Sequence, residues 1–231
     1  MAHQVTHGPS FAMLRADLEA GQEITAEAGA MVARHPSVTM HVSMNADPAA
    51  GLLDRLFGFA VAVLRKFLGG ETFFVNRFRT VTRGSVWIAP VMAGQVKYHR
   101  MRGGRIVLSA GAYLAHAGRL RTKIRFGGLR TILAREGAFF LEIRGEGDLW
   151  FTSYGGVHAV DVDGSYLVDN GHLVGYEGSL TLTVGTGGGG ALGLVASGEG
   201  VACEFRGKGR VWLQSRNPNA LVHWLSPVLP K

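Results

Sequence analysis

Apolar and polar residues alternate along much of the chain. The pattern is clean at Leu180, Leu182 and Val184 and less regular where Val157, Ala159 and Asp161 oppose His158, Val160 and Val162. A period of two is the pattern of half-buried β-strands. Turn signals punctuate it at Ala20-Gly21, Gly103-Gly104 and Asp163-Gly164, each about seven or eight residues before a second glycine, Gly29, Gly111 and Gly171. Gly-Gly and Asp-Gly tolerate the positive φ angles of two-residue hairpins, so short strands joined by such hairpins are expected. One stretch departs from this pattern. Leu52 to Phe67 is apolar nearly all round, with Asn45 or Asp47 placed to cap it, Pro48 near its first turn and Gly69-Gly70 at its end, which predicts a buried helix. The apolar tail from Ala220 to Pro230 is expected to dock as a short helix or strand.

The strand pattern repeats. Gly84-Ser-Val-Trp87-Ile, Gly147-Asp-Leu-Trp150-Phe and Gly209-Arg-Val-Trp212-Leu share one form, and their tryptophans lie 63 and 62 residues apart. Upstream, Glu142-Ile-Arg144-Gly-Glu-Gly147 matches Glu204-Phe-Arg206-Gly-Lys-Gly209. Ala28-Gly-Ala-Met-Val-Ala33, Ala110-Gly-Ala-Tyr-Leu-Ala115 and Asn170-Gly-His-Leu-Val-Gly175 form a second matching set. The predicted organisation is a single domain over 1–231. Repeat one spans about 10–90 with an insertion at 45–69, repeat two about 91–155 and repeat three about 156–217, followed by a tail at 218–231. Many short strands with regular glycine turns point to a closed all-β architecture: sandwich, barrel or β-helix. Each repeated tryptophan is expected to anchor the core of its copy.

Three segments carry a family resemblance: Glu27-Ala-Gly29-Ala-Met, Gly69-Gly-Glu-Thr-Phe-Phe74 and Leu108-Ser-Ala-Gly-Ala-Tyr113. From about Phe11 to Pro227 the chain resembles the mitochondrial-biogenesis (altered inheritance of mitochondria) family, whose fold is similar to that of the tryptophan RNA-binding attenuation protein. The resemblance implies an internally repeated double-stranded β-helix or attenuator-like β-sandwich that self-associates. It supplies no catalytic or ligand residues, and likeness of fold does not transmit function.

With 47% hydrophobic and 18% charged residues, the chain is not of disordered composition. Its 34 glycines lack collagen's period of three and fit a chain of many turns. A net charge of +7 favours anionic partners in general: RNA, phospholipid or an acidic protein. No basic segment followed by an apolar one opens the chain, and Cys203 is the one cysteine. A cytoplasmic protein without a transmembrane segment is the expectation, with a setting peripheral to the membrane open to it.

The sharpest charge feature is Arg119, Arg121, Lys123 and Arg125, which a strand places on one face with Leu120, Thr122 and Ile124 on the other. Lys97, Arg100, Arg102 and Arg105 could extend it, while Tyr98 and Phe126 offer little for base stacking. Within the insertion, Leu52, Leu56, Phe57, Phe59 and Leu64 are candidates for packing on the chain's own sheet, for a subunit contact or for a membrane-surface contact. It is too short and too charged to span a bilayer. The histidines, His116, His158 and His172 among them, lack metal-ligand spacing, and no metal or cofactor is expected. Cys203 reads as a buried thiol, Asp161 and Asp163 as turn residues, and Glu142 and Glu204 as cross-strand partners of Arg144 and Arg206. Gly187 to Gly190 lacks the Lys-Ser/Thr of a phosphate loop and reads as a hairpin tip. The function expected is that of a non-enzymatic, self-associating scaffold or interaction module. RNA or polyanion binding through the basic strand is the alternative, and a cupin-like enzyme a remote third.

Overall fold

The structure, a computed structural model, describes residues 1–44, 74–109, 111–126, 139–185 and 202–228. Thirteen strands fill these segments: β1 (Ala2–Thr6), β2 (Met13–Leu18), β3 (Glu23–Glu27), β4 (Met31–Arg34), β5 (Val38–Met44), β6 (Phe74–Thr80), β7 (Gly84–Ile88), β8 (Val96–Ser109), β9 (Tyr113–Phe126), β10 (Phe139–Thr152), β11 (Val157–Asp169), β12 (Leu173–Gly185) and β13 (Ala202–Gln214). A 3-10 turn at Asn170–His172 and a C-terminal helix, α1 (Pro218–Leu225), complete them. The Asn217 side chain caps α1 and Pro218 opens its first turn. The helix expected within 45–69, with Leu52, Leu56, Phe57, Phe59 and Leu64, and the glycine run at Gly187 lie outside the described residues.

The strands form two antiparallel sheets, ordered β1-β2-β7-β4 and β11-β13-β12-β8-β10-β9-β3-β6-β5. The larger sheet divides into three triplets, β11-β13-β12, β8-β10-β9 and β3-β6-β5. In each, the third strand in sequence lies between the first and the second. The N-terminal triplet differs in that its long strands are broken into β2/β3, β4/β5 and β6/β7. The other halves, β2-β7-β4, keep the same order in the smaller sheet.

The repeated tryptophans occupy matching places in this order. Trp87 lies between Arg15 and Ala33, Trp150 between Tyr98 and Ala115, and Trp212 between Ala159 and Gly175. One neighbour is always Ala or Gly, and beside it the register slips by one residue, at Val32, Leu114 and Val174. A β-bulge thus recurs three times at one position. Their surroundings differ, however. Trp150 is fully buried among Leu14, Ile24 and Val86, and Trp212 packs with Leu149 and Phe151 in a second cluster. Trp87 is only half-buried, with the Arg15 guanidinium 5.5 Å from its ring centroid. The expectation of three equivalent core anchors is therefore corrected at Trp87, which sits in the small four-stranded sheet with a cation over its ring.

The expected hairpins at Gly103-Gly104 and Asp163-Gly164 are also corrected, because both pairs lie inside uninterrupted strands, β8 and β11. The positive φ angles are present, +93° at Gly103 and +114° at Gly164, but the chain continues forward. A hairpin needs the following strand to return alongside, whereas here the first and second strands of a triplet are separated by the third. Glycine instead lets the long strands bend in mid-course. At Gly145, φ is +117° and a Cβ would lie 2.2 Å from the Arg119 carbonyl oxygen. Gly207 repeats this with a φ of +120° and an approach of 2.4 Å to the Ser179 oxygen. No side chain fits at either point.

Candidate functional site

Period-two alternation sets out the cationic face as expected: Arg119, Arg121, Lys123 and Arg125 are all exposed on β9, while Thr122 behind them is buried and Leu120 half-buried. Ile124, expected inward, is 38% exposed. Pairing with β10 sets Arg119 opposite Glu146, Arg121 opposite Arg144, and Lys123 opposite Glu142. Arg144 in turn faces Arg105 of β8. Three arginines, Arg121, Arg144 and Arg105, therefore stand side by side on adjacent strands, an arrangement in which directly opposed like charges are destabilising.

Glu142 lies under this row. Its side chain is 5% exposed and meets Arg144 Nε at 2.7 Å, an Arg125 terminal nitrogen at 3.0 Å and Arg105 at 3.7 Å. Burial works to raise its pKa, but hydrogen bonds from Arg144 and Arg125 and their charges outweigh it and hold the carboxyl below its ordinary range. Arg105 also lies over the Tyr176 ring, 5.9 Å from its centroid. Among the described residues no carboxylate pairs with Arg119, Arg121 or Lys123. Around Glu142, five cations (Arg105, Arg121, Lys123, Arg125, Arg144) thus face one anion. Glu142 and Arg144 are same-strand partners two residues apart, as are Glu204 and Arg206, which corrects their expected cross-strand pairing.

The sister triplets provide an internal comparison. Where the second has Glu142 and Arg144 flanked by Arg105, Arg121 and Lys123, the third has Glu204 and Arg206, paired at 2.8 Å and flanked by Ser165, Thr181 and Thr183. In the first triplet, Arg79 is flanked by Glu23 and Thr39. Arg77 stands in that triplet where the second has Glu142, flanked by Thr25 and His41, so two arginines lie beside Glu23; the third triplet alone balances one cation with one carboxylate, and the surplus is largest in the second.

Two grooves open beside the mid-strand glycines. One of about 770 Å³ lies between the third and second triplets, lined in part by His99, Arg102, Glu177 and Gly178; another of about 450 Å³ lies between the second and first, beside Gly118 and Gly147. The charges of the larger groove are mostly paired within the chain. Arg100 of β8 binds Asp148 of β10, and at the matching place Asp161 of β11 binds Arg210 of β13 with the polarity reversed. Lys208 meets Asp163 at 3.2 Å and His99 meets Glu177 at 3.3 Å. Of the cations expected to extend the basic row, Arg105 joins it and Arg100 is held by Asp148. Tyr98 likewise donates its hydroxyl to Asp148, at 2.7 Å.

The remaining candidates do not converge. His116 is buried with Nδ1 2.7 Å from the Tyr113 hydroxyl, and burial, assisted by Arg77, lowers its pKa to about 4. His172 Nδ1 lies 2.8 Å from the Gln214 carbonyl oxygen, and His158 is exposed. Among the described residues no three His, Cys, Asp or Glu side chains gather to hold a metal ion. Cys203 is buried, 3.5 Å from Asn170 Oδ1. Sequence reading missed Glu142 as the centre of the basic face. The recurrence of Glu-x-Arg at 142–144 and 204–206 was the available signal, but only the strand register brings in Arg105 and Arg125.

A family model described as mitochondrial biogenesis AIM24 matches residues 3–216. An uncharacterized protein of Streptococcus pyogenes serotype M6 is 27% identical over 233 aligned residues, covering 100% of this chain and 92% of the relative. The crystal structure of a Streptococcus pyogenes protein, a structural-genomics target, superposes with a TM-score of 0.79 at 25% identity, covering 99% of each chain. Neither relative's name gives an activity. Among the described residues no helix is long and apolar enough to cross a membrane.

Proposed function

The chain belongs to the mitochondrial-biogenesis AIM24 family, and from that premise we propose that it is a non-catalytic, self-associating β module built as one domain of three equivalent units, a repeated relative of the attenuator-like fold. A cytoplasmic setting, peripheral to a membrane, is part of this reading.

One observation carries it. Neighbouring triplets join in one way, with the second strand, beside its bulge, against the first strand of the preceding triplet. Gly175 and Tyr176 of β12 pair with Leu108 and Val107 of β8, and Ala115 and His116 of β9 pair with Ala26 and Thr25 of β3. The same rule gives a third junction, Ala33 and Arg34 of β4 against Val168 and Leu167 of β11. Among the described residues this junction is not made, and both strands stand at sheet ends. Only Val162 and Val168 of β11 are buried, while Leu167 is 59% exposed and Val32, beside Ala33, 55%. Exposed strand edges recruit further strands. Two dissimilar edges that pair head to tail generate rings or filaments.

The test is solution mass by light scattering together with an Arg34→Cys/Leu167→Cys variant under oxidation. Disulfide-linked oligomers are expected. A strict monomer at micromolar concentration, or a disulfide formed only within one chain, would overturn the reading.

The cationic surplus of the second triplet favours a second reading, in which Arg119, Arg121, Lys123 and Arg125 bind RNA or another polyanion. Such binding should weaken steeply with salt. Failure to retain a labelled oligonucleotide on a filter at low salt would sink it.

A further inference from the structure

We propose that the face around Glu142 is a binding site for a compact, soluble polyphosphate, a molecule carrying several phosphates close together. This rests on, and narrows, the polyanion reading above. The cations are laid out in two directions rather than in a line. Arg119, Arg121, Lys123 and Arg125 follow β9 at two-residue steps of roughly 7 Å. Arg121, Arg144 and Arg105 cross three strands at about 5 Å per strand. A patch of this form matches clustered phosphates better than an extended backbone.

The guanidiniums are also oriented in advance. Glu142 Oε1 accepts from both Arg144 and Arg125, and Oε2 faces Arg125 and Arg105. A guanidinium has five N–H donors, so each retains free donors after bonding Glu142. Fixed guanidiniums are suited to phosphate oxygens because little side-chain freedom remains to be lost. Glu142 is 5% exposed beneath them, so it is screened from an incoming anion. Among the described residues Lys123 and Arg121 have no carboxylate partner, and they carry the surplus that the ligand would neutralise.

Base recognition has little support on this face. Tyr176 has its ring under Arg105 and is 8% exposed, and the Tyr98 hydroxyl is held by Asp148. Single-strand binders need open aromatic platforms. The third triplet has the same strand order with its cation and carboxylate balanced, so fold maintenance does not account for the surplus.

Isothermal titration of the full chain with sodium triphosphate, free of divalent cations and at about 50 mM salt, tests the proposal. Saturable binding is expected, at least about tenfold weaker in Arg121→Glu/Lys123→Glu. The milder Arg121→Gln/Lys123→Gln should be weakened less, and serves if charge reversal unfolds the chain. Arg206→Glu/Lys208→Glu makes the same change of net charge in the third triplet and should leave the affinity within about threefold. No binding by the wild type, or equal loss in both reversal variants, overturns the proposal. Oligonucleotide retention that depends on Arg121 and Lys123 but is not displaced by triphosphate overturns it while leaving the polyanion reading standing. Binding to phosphatidylserine vesicles that triphosphate does not displace likewise overturns it, in favour of a membrane surface.

Discussion

Replacing Glu142 by Gln keeps the shape of the side chain and removes the charge under three arginines. Charge-assisted hydrogen bonds contribute about 1.5 to 3 kcal/mol each, but Arg144 and Arg125 are 58% and 52% exposed and regain water when released. We expect a net loss of about 2 kcal/mol at pH 7. Glu204→Gln, with one arginine and 30% exposure, should cost under about 1 kcal/mol. The pH dependence has a definite sign. Because the folded state holds the Glu142 pKa below its ordinary 4.5, its contribution is fully present above that value and is lost as pH falls through the lower, folded value. Urea denaturation of wild type and variant should therefore show a gap that is flat from about pH 6 to 8 and narrows below about pH 4.5. A gap under about 0.5 kcal/mol at pH 7, or one that stays constant into acid, would refute the account of Glu142 as the buried counter-charge of this face.

Two further outcomes follow from burial. Trp150→Ala should cost about 3 to 5 kcal/mol in chemical denaturation and Trp87→Ala under about 2; equal losses would contradict the half-buried setting of Trp87. His116 is held neutral with a pKa of about 4 against an ordinary 6.5, so the unfolded chain takes up its proton first as pH falls. Stability should then decline by up to about 3 kcal/mol between pH 6.5 and 4, and His116→Gln should flatten that slope. An unchanged slope in the variant would assign the acid sensitivity to other groups.

Much of this architecture is legible in the residue pattern, for reasons particular to the residues. The Gly-x-x-Trp cadence and the Ala33, Ala115 and Gly175 set recur together because they are cross-strand neighbours: a large indole beside the smallest side chains. At Gly175 a Cβ would come within 2.6 Å of the Val107 carbonyl oxygen, so the small residue there is required. Gly103 and Gly164 misled because a positive φ is local, whereas whether the chain reverses depends on which strand lies alongside. The basic row of β9 could be seen from period two alone. Its centre could not, because Arg105, Arg125 and Glu142 meet only through the register of three long strands, and no local signal encodes that register.

Three triplets of one strand order in a single chain carry a hazard, since an outer strand can meet a central strand other than its own. The reversed pairs, Arg100 with Asp148 and Asp161 with Arg210, bear on it directly. If β8 annealed to β13, Arg100 would meet Arg210; if β11 annealed to β10, Asp161 would meet Asp148. Either exchange replaces attraction by repulsion at the middle of the strand. The two inverted ion pairs would thus act as a parity check between the second and third triplets, by which each distinguishes its own strands from those of the other while the chain is still assembling.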